Sequence, residues 1–142
     1  MSITDTVTNE GFQTVPHMQL YHINLGFPVV DEGAKLISPS TSVTPRDDVA
    51  KPGIKEYAQF SAPVPGYQEQ VFYHDMKAGA DGYVKAAIVN PGFDGGKGLG
   101  VFVRYRQREL PWFTEWKMVG EDVYCVGLEP ANCQVEGRAK ER

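Results

Sequence analysis

Two short stretches near opposite ends of the chain, LYHINLGFP around His22 and YCVGLEPAN around Glu129, each set one titratable side chain among apolar and small residues. An imidazole and a carboxylate are the pair that general acid–base chemistry requires. The carboxylate is ionised at neutral pH, and histidine, with an ordinary pKa of about 6.5, can act as acid and base in turn. Read as strands, both stretches alternate. Tyr21, Ile23 and Leu25 face one way with Leu20, His22 and Asn24 opposite, while Tyr124, Val126 and Leu128 oppose Cys125, Gly127 and Glu129. His22 and Glu129 are therefore expected on faces with room for a ligand. The bland alternatives are a core histidine satisfied by backbone and a glutamate that ends a strand with its head in water.

The elements that must position such a pair are strands. Fifteen Gly and ten Pro punctuate the chain so closely that no amphipathic helical window of ordinary length survives, whereas short runs rich in Val, Ile, Tyr, Phe and Thr recur. The pattern predicts strands over 2–8, 18–25, 54–60, 68–76, 83–89, 98–107, 112–119 and 122–129. Turn signals separate them, among them Pro65-Gly66, Ala80-Asp81-Gly82, the NPGFDGGKG loop at 90–98 and Gly120-Glu121-Asp122. The Pro-, Ser- and Asp-rich segment from Ser38 to Gly53 reads as a long loop. Many alternating strands with turns between them imply an all-β chain of antiparallel sheets, packed as a sandwich or curled toward a barrel.

Bulk properties narrow the partners. At 142 residues the chain has the size of one domain, spanning 1–142, and can bury a core without staples. A formal net charge of −4 with no basic stripe argues against nucleic acid. No apolar run approaches a membrane span and the start has no leader pattern, so the expectation is a soluble, cytoplasmic protein with no membrane contact. Cys125 and Cys133 lack a C-x-x-C spacing and are expected as reduced thiols. His17, His22 and His74 have no short ligand spacing, so no metal site is expected.

In chain order, ITDTVTNEGF, LYHINLGFP, PGYQEQVFYHD and LPWFTEWKMVGEDVYCVGLEPANCQVEGR resemble the aldose 1-epimerase (galactose mutarotase) superfamily. The resemblance is to a poorly characterised branch that carries YH.N.G.P and GLEPAN where better-known members carry NHTYFNL and LETQ. It spans nearly the whole chain but only the later part of the family's domain. It implies an antiparallel β-sandwich of the mutarotase-like (supersandwich) type, here incomplete, whose concave face holds a sugar. The family's earlier half contributes a second histidine and an arginine that have no located counterpart in this chain. The chain is then expected to be a fragment, or a short form that completes its sheets by association as a homo-oligomer through exposed edges.

By the same resemblance Glu129 corresponds to the base that removes the anomeric hydroxyl proton, and His22 to the acid that protonates the ring oxygen. No metal or cofactor is implied. Glu69, in GYQEQVF, falls where the family places an acceptor for sugar hydroxyls. Trp116 could stack on a pyranose and Lys117 could bond to hydroxyls, but alternation sends these neighbours to opposite faces, and Trp116 reads more simply as core. Arg46, on the Pro-rich loop, could reach an acidic group on a modified sugar. Arg104, Arg106 and Arg108 recur at period two and read as a solvent-facing stripe. Glu69 with Glu129 would also supply a glycosidase's two carboxylates, but the histidine favours epimerisation. The rival expectations are a non-catalytic carbohydrate-binding module and an interaction protein that pairs through its sheet edges.

Overall fold

The computed structural model describes residues 1–140. Its eight strands are β1 (Ile23–Gly26), β2 (Lys35–Ile37), β3 (Ser40–Pro45), β4 (Gln70–Met76), β5 (Tyr83–Asn90), β6 (Leu99–Arg106), β7 (Trp112–Val119) and β8 (Tyr124–Ala131). They form a five-stranded sheet in the order β1-β8-β7-β4-β3 and a three-stranded sheet in the order β2-β5-β6. Every strand pairing is antiparallel. The chain is all-β with antiparallel sheets, as the alternation predicts.

Period-two burial explains why the sheets pack. One face of the larger sheet carries Phe113, Val119, Val126 and Leu128, which meet Leu36, Val84, Ala86, Ile88 and Tyr105 of the smaller sheet in one buried cluster. Phe113 and Tyr105 stack across the sandwich with ring centroids 6.0 Å apart and planes within 4°. Each such side chain stabilises the fold by about 1.5–3 kcal/mol relative to exposure. The other face of the larger sheet is left to the site.

The tight β7–β8 turn is closed by the Gly120 N–H donating to the Val123 carbonyl at 2.9 Å, and it sets the register that brings Thr114 opposite Glu129.

Three sequence expectations are corrected. No strand forms over 2–8: the alternation is present, but Ile3 and Val7 stay exposed because no strand among the described residues pairs with the segment. Over 54–60 there is no strand either. A 3-10 turn at Lys51–Lys55 runs into further turns, held by the Lys117 ammonium, which donates to the carbonyls of Glu56 (2.8 Å), Tyr57 (3.4 Å) and Gln59 (2.6 Å). The expected long loop at 38–53 instead holds β3, whose Ser, Thr and Val residues pair with β4 at the sheet edge.

The interior also holds charge. Glu115 is fully buried beside His74, with Glu115 Oε2 3.4 Å from His74 Nε2, while His74 Nδ1 lies 2.9 Å from Ser40 Oγ. Burial pushes the Glu115 carboxyl above its ordinary range, with His74 and Lys117 opposing. Folded protein therefore holds this proton more tightly than unfolded chain. The contribution is fully present below the unfolded value of about 4.3 and is lost as pH rises through the raised folded value. Denaturant midpoints measured across this range should fall with rising pH, and Glu115→Gln should flatten that slope. An unchanged slope in the variant would place the effect elsewhere.

Among the described residues no helix is long and apolar enough to cross a membrane, and no group of three or more His, Cys, Asp or Glu residues is arranged to hold a metal ion. Cys125 and Cys133 are not joined in a disulfide.

Candidate active site

The open face of the larger sheet is read directly from its register. Asn24, Gly127, Trp116 and Val71 lie in one row across β1, β8, β7 and β4. Two residues along, Glu129, Thr114, Tyr73 and Thr44 form the next row, with β8 paired to β7, β4 and β3. His22 joins this second row from the approach to β1, where the Tyr21 N–H donates to the Pro130 carbonyl at 3.1 Å. Residues more than a hundred positions apart thus meet because β1 adds to the edge of β8.

The meeting is direct. His22 Nε2 stands 2.9 Å from Glu129 Oε1, with the carboxylate side chain 4% exposed and the imidazole 43% exposed. The carboxylate lies at the floor and the imidazole opens to solvent. Gly127 makes the approach possible: a Cβ there would stand 2.8 Å from His22 Cε1 and 2.9 Å from Glu129 Oε1. Any side chain at 127 would push the ring away.

Trp116 lies edge-on to His22, with ring centroids 5.6 Å apart and planes at 61°. Its Nε1 donates to Glu69 Oε2 at 2.7 Å, and Arg46 Nη2 donates to Glu69 Oε1 at 3.2 Å. Arg46 Nε in turn donates to Asp47 Oδ2 at 2.8 Å. An ordered chain therefore runs from the Arg46 loop through Glu69 and Trp116 to the imidazole.

The two carboxylates of this face are pushed apart. Burial lifts the Glu129 carboxyl and nearby Glu69 adds to the lift, against the pull of His22 and Arg46. Donation from Trp116 and Arg46 holds Glu69 below the usual range. Such a split makes Glu129 the better proton acceptor and keeps Glu69 ionised as a fixed hydrogen-bond acceptor.

Of the sequence-derived candidates, Glu129, His22, Trp116, Glu69 and Arg46 share this face. Lys117 does not. Alternation turns it to the opposite side, where it is 5% exposed with its ammonium on loop carbonyls and 5.2 Å from the Phe60 ring, so the expected contact with sugar is withdrawn. Trp116 is half-buried and belongs to the site rather than to the interior. Gly127, Asp47 and Tyr73 were missed. Tyr73 follows Glu69 at period two, and its hydroxyl donates to Glu136 Oε1 at 2.8 Å. Arg104 and Arg106 lie on the other sheet, exposed as expected.

A family model described as Domain of unknown function (DUF4432) matches residues 1–142. The crystal structure of a candidate aldose 1-epimerase from Klebsiella pneumoniae subsp. pneumoniae MGH 78578 is similar, with a TM-score of 0.74 and 32% identity, over 82% of this chain and 30% of that one. This chain therefore spans less than a third of that protein's length, and the likeness identifies an aldose epimerase-like β-sandwich. No protein of curated function matches.

Proposed function

The chain belongs to the DUF4432 family, and on that footing we propose that it is an aldose 1-epimerase-type isomerase, interconverting the anomers of an aldose or aldose derivative by acid–base ring opening. The observation that carries this reading is the contact of the buried Glu129 carboxylate with the open His22 imidazole at 2.9 Å on one sheet face. The anomeric hydroxyl and the ring oxygen are bonded to the same carbon, so the groups that serve them must be close neighbours.

In the proposed reaction the Glu129 carboxylate takes the proton of the anomeric hydroxyl as the bond from the anomeric carbon to the ring oxygen breaks. His22 delivers a proton to that ring oxygen, and the products are an open-chain aldehyde, a neutral carboxyl and a deprotonated ring nitrogen. Rotation about the bond next to the carbonyl exposes its other side. Closure then reverses both transfers, so the pair returns to its starting state with no proton taken from solvent. The raised pKa of Glu129 brings its basicity toward the operating pH, which is where general bases work best. Trp116, beside the imidazole, offers an apolar face to the sugar ring, and ionised Glu69 an acceptor for hydroxyls.

Polarimetry or exchange NMR on purified anomers tests the roles, comparing wild type with His22→Ala and Glu129→Gln. Equal rates in all three would remove them. Sugar binding by calorimetry without acceleration would instead select the carbohydrate-binding module. Gly127→Ala supplies a further check. The displaced imidazole should lose roughly 10²-fold in rate, the cost of about 1 Å of misplacement, with far less change in sugar affinity. A variant with wild-type rate would show that the His22 position is not critical.

A further inference from the structure

We propose that β6 is a self-pairing edge, through which two copies of the chain join their smaller sheets by antiparallel β6–β6 addition about a two-fold axis at Val103. Exposed strand edges invite such pairing, and native sheets blunt them with short strands, bulges, prolines or covering segments. The other edges of this molecule are blunted in these ways. β1 has four residues. β3 is bulged between Ser40 and Ser42 and ends in Pro45. β2 has three residues, and beside it the Leu36 N–H already donates to the Ala58 carbonyl at 2.9 Å.

Among the described residues β6 has none of these protections. It runs eight residues, LGVFVRYR, in unbroken register with β5, contains neither Pro nor Lys, and exposes Phe102 by 62% and Val101 by 37%. Its arginines do not guard the edge, because they fold back over their own sheet. The Arg104 guanidinium lies 3.4 Å from the Tyr83 ring centroid and 3.1 Å from Asp81 Oδ2, and Arg106 Nε donates to the Tyr83 hydroxyl at 2.7 Å.

The phase of the ladder selects the register. The Gln107 N–H donates to the Gly82 carbonyl at 3.2 Å, so alternate residues Val101, Val103 and Tyr105 turn their backbone groups toward β5. Gly100, Phe102, Arg104 and Arg106 turn theirs outward. With Val103 on the two-fold, Phe102 faces the partner's Arg104 and Gly100 faces the partner's Arg106, so every outward N–H and C=O in that run gains a partner. An axis at Arg104 would set like charges face to face, which is unfavourable. An axis at Phe102 would carry Arg106 past the end of the opposing strand. Charge and hydrogen bonding thus favour one isologous arrangement, with a second copy as its occupant.

Sedimentation equilibrium of the wild-type chain should give twice the 15.7 kDa chain mass. Arg104→Pro removes an outward N–H without touching the β5 ladder, and it should halve the mass while the circular dichroism of the fold persists. Val103→Cys places two thiols across the axis in a pair with Cα atoms about 4.5 Å apart, within disulfide reach. Mild oxidation should convert it to a covalent dimer, with Phe102→Cys and the wild type, which keeps Cys125 and Cys133, remaining uncrosslinked. A monomeric wild type at its highest soluble concentration would overturn the proposal. So would crosslinking through Phe102→Cys instead of Val103→Cys, which also remains readable if the proline variant does not fold.

Discussion

Glu129→Gln is expected to slow anomer interconversion by about 10²–10⁴-fold, the range contributed by one positioned general base. Glutamine matches the carboxylate in shape, and a side chain only 4% exposed leaves little room for rearrangement. The substitution can still meet His22 through its amide oxygen, so fold and sugar affinity should change little and the loss should fall on kcat. His22→Ala should cost less at the fold level, since the imidazole is 43% exposed, but a comparable factor in rate. Exchange NMR over a series of sugar concentrations separates the two parameters. A variant that loses affinity and keeps kcat would make Glu129 a binding residue rather than the base.

The largest stability effect belongs to Lys117. Its ammonium donates to the carbonyls of Glu56, Tyr57 and Gln59 and fixes the segment that follows the 3-10 turn against the sheet. Lys117→Met keeps most of the apolar stem but strips these buried acceptors of their donor, at a cost of about 3–5 kcal/mol. For a chain of this length a loss of that size lowers Tm by roughly 10 °C or more. Arginine should not rescue it, because a planar guanidinium cannot converge on these carbonyls as a tetrahedral ammonium does. At temperatures where the variant is folded, KM should stay at the wild-type value, since Lys117 lies on the far face from His22. A Tm shift below about 2 °C would show that the segment is held by other contacts.

The strands that bear on the site were legible because each pairs with neighbours close in sequence or shows clean alternation. β4 through β8 fall close to the predicted spans, since turn residues such as Gly120 and Gly82 mark their ends. Segment 2–8 alternates just as well but pairs with no strand among the described residues, and a strand is defined by its partner rather than by its own side chains. Segment 54–60 failed for a tertiary reason, because its carbonyls face Lys117, a residue some 60 positions away. β3 was hidden by Ser, Thr and Pro, which edge strands tolerate and loops also favour.

At the site, alternation showed that His22 and Glu129 face away from their apolar neighbours, and that Trp116 and Lys117 diverge. It could not say that β1 lies beside β8, which is what makes the contact. Nor could it show that Gly127 is the gap into which the imidazole leans. Trp116 read more simply as core because an indole is large and apolar, yet its Nε1 finds Glu69 on the open face.

The central claim is that His22 and Glu129 act on a sugar as one unit, and a double-mutant cycle read by anomer exchange tests it most directly. Groups that work together are strongly non-additive, so Glu129→Gln combined with His22→Ala should be about as slow as the slower single variant. Independent, multiplying losses, or a wild-type chain that exchanges anomers no faster than buffer, would contradict the account.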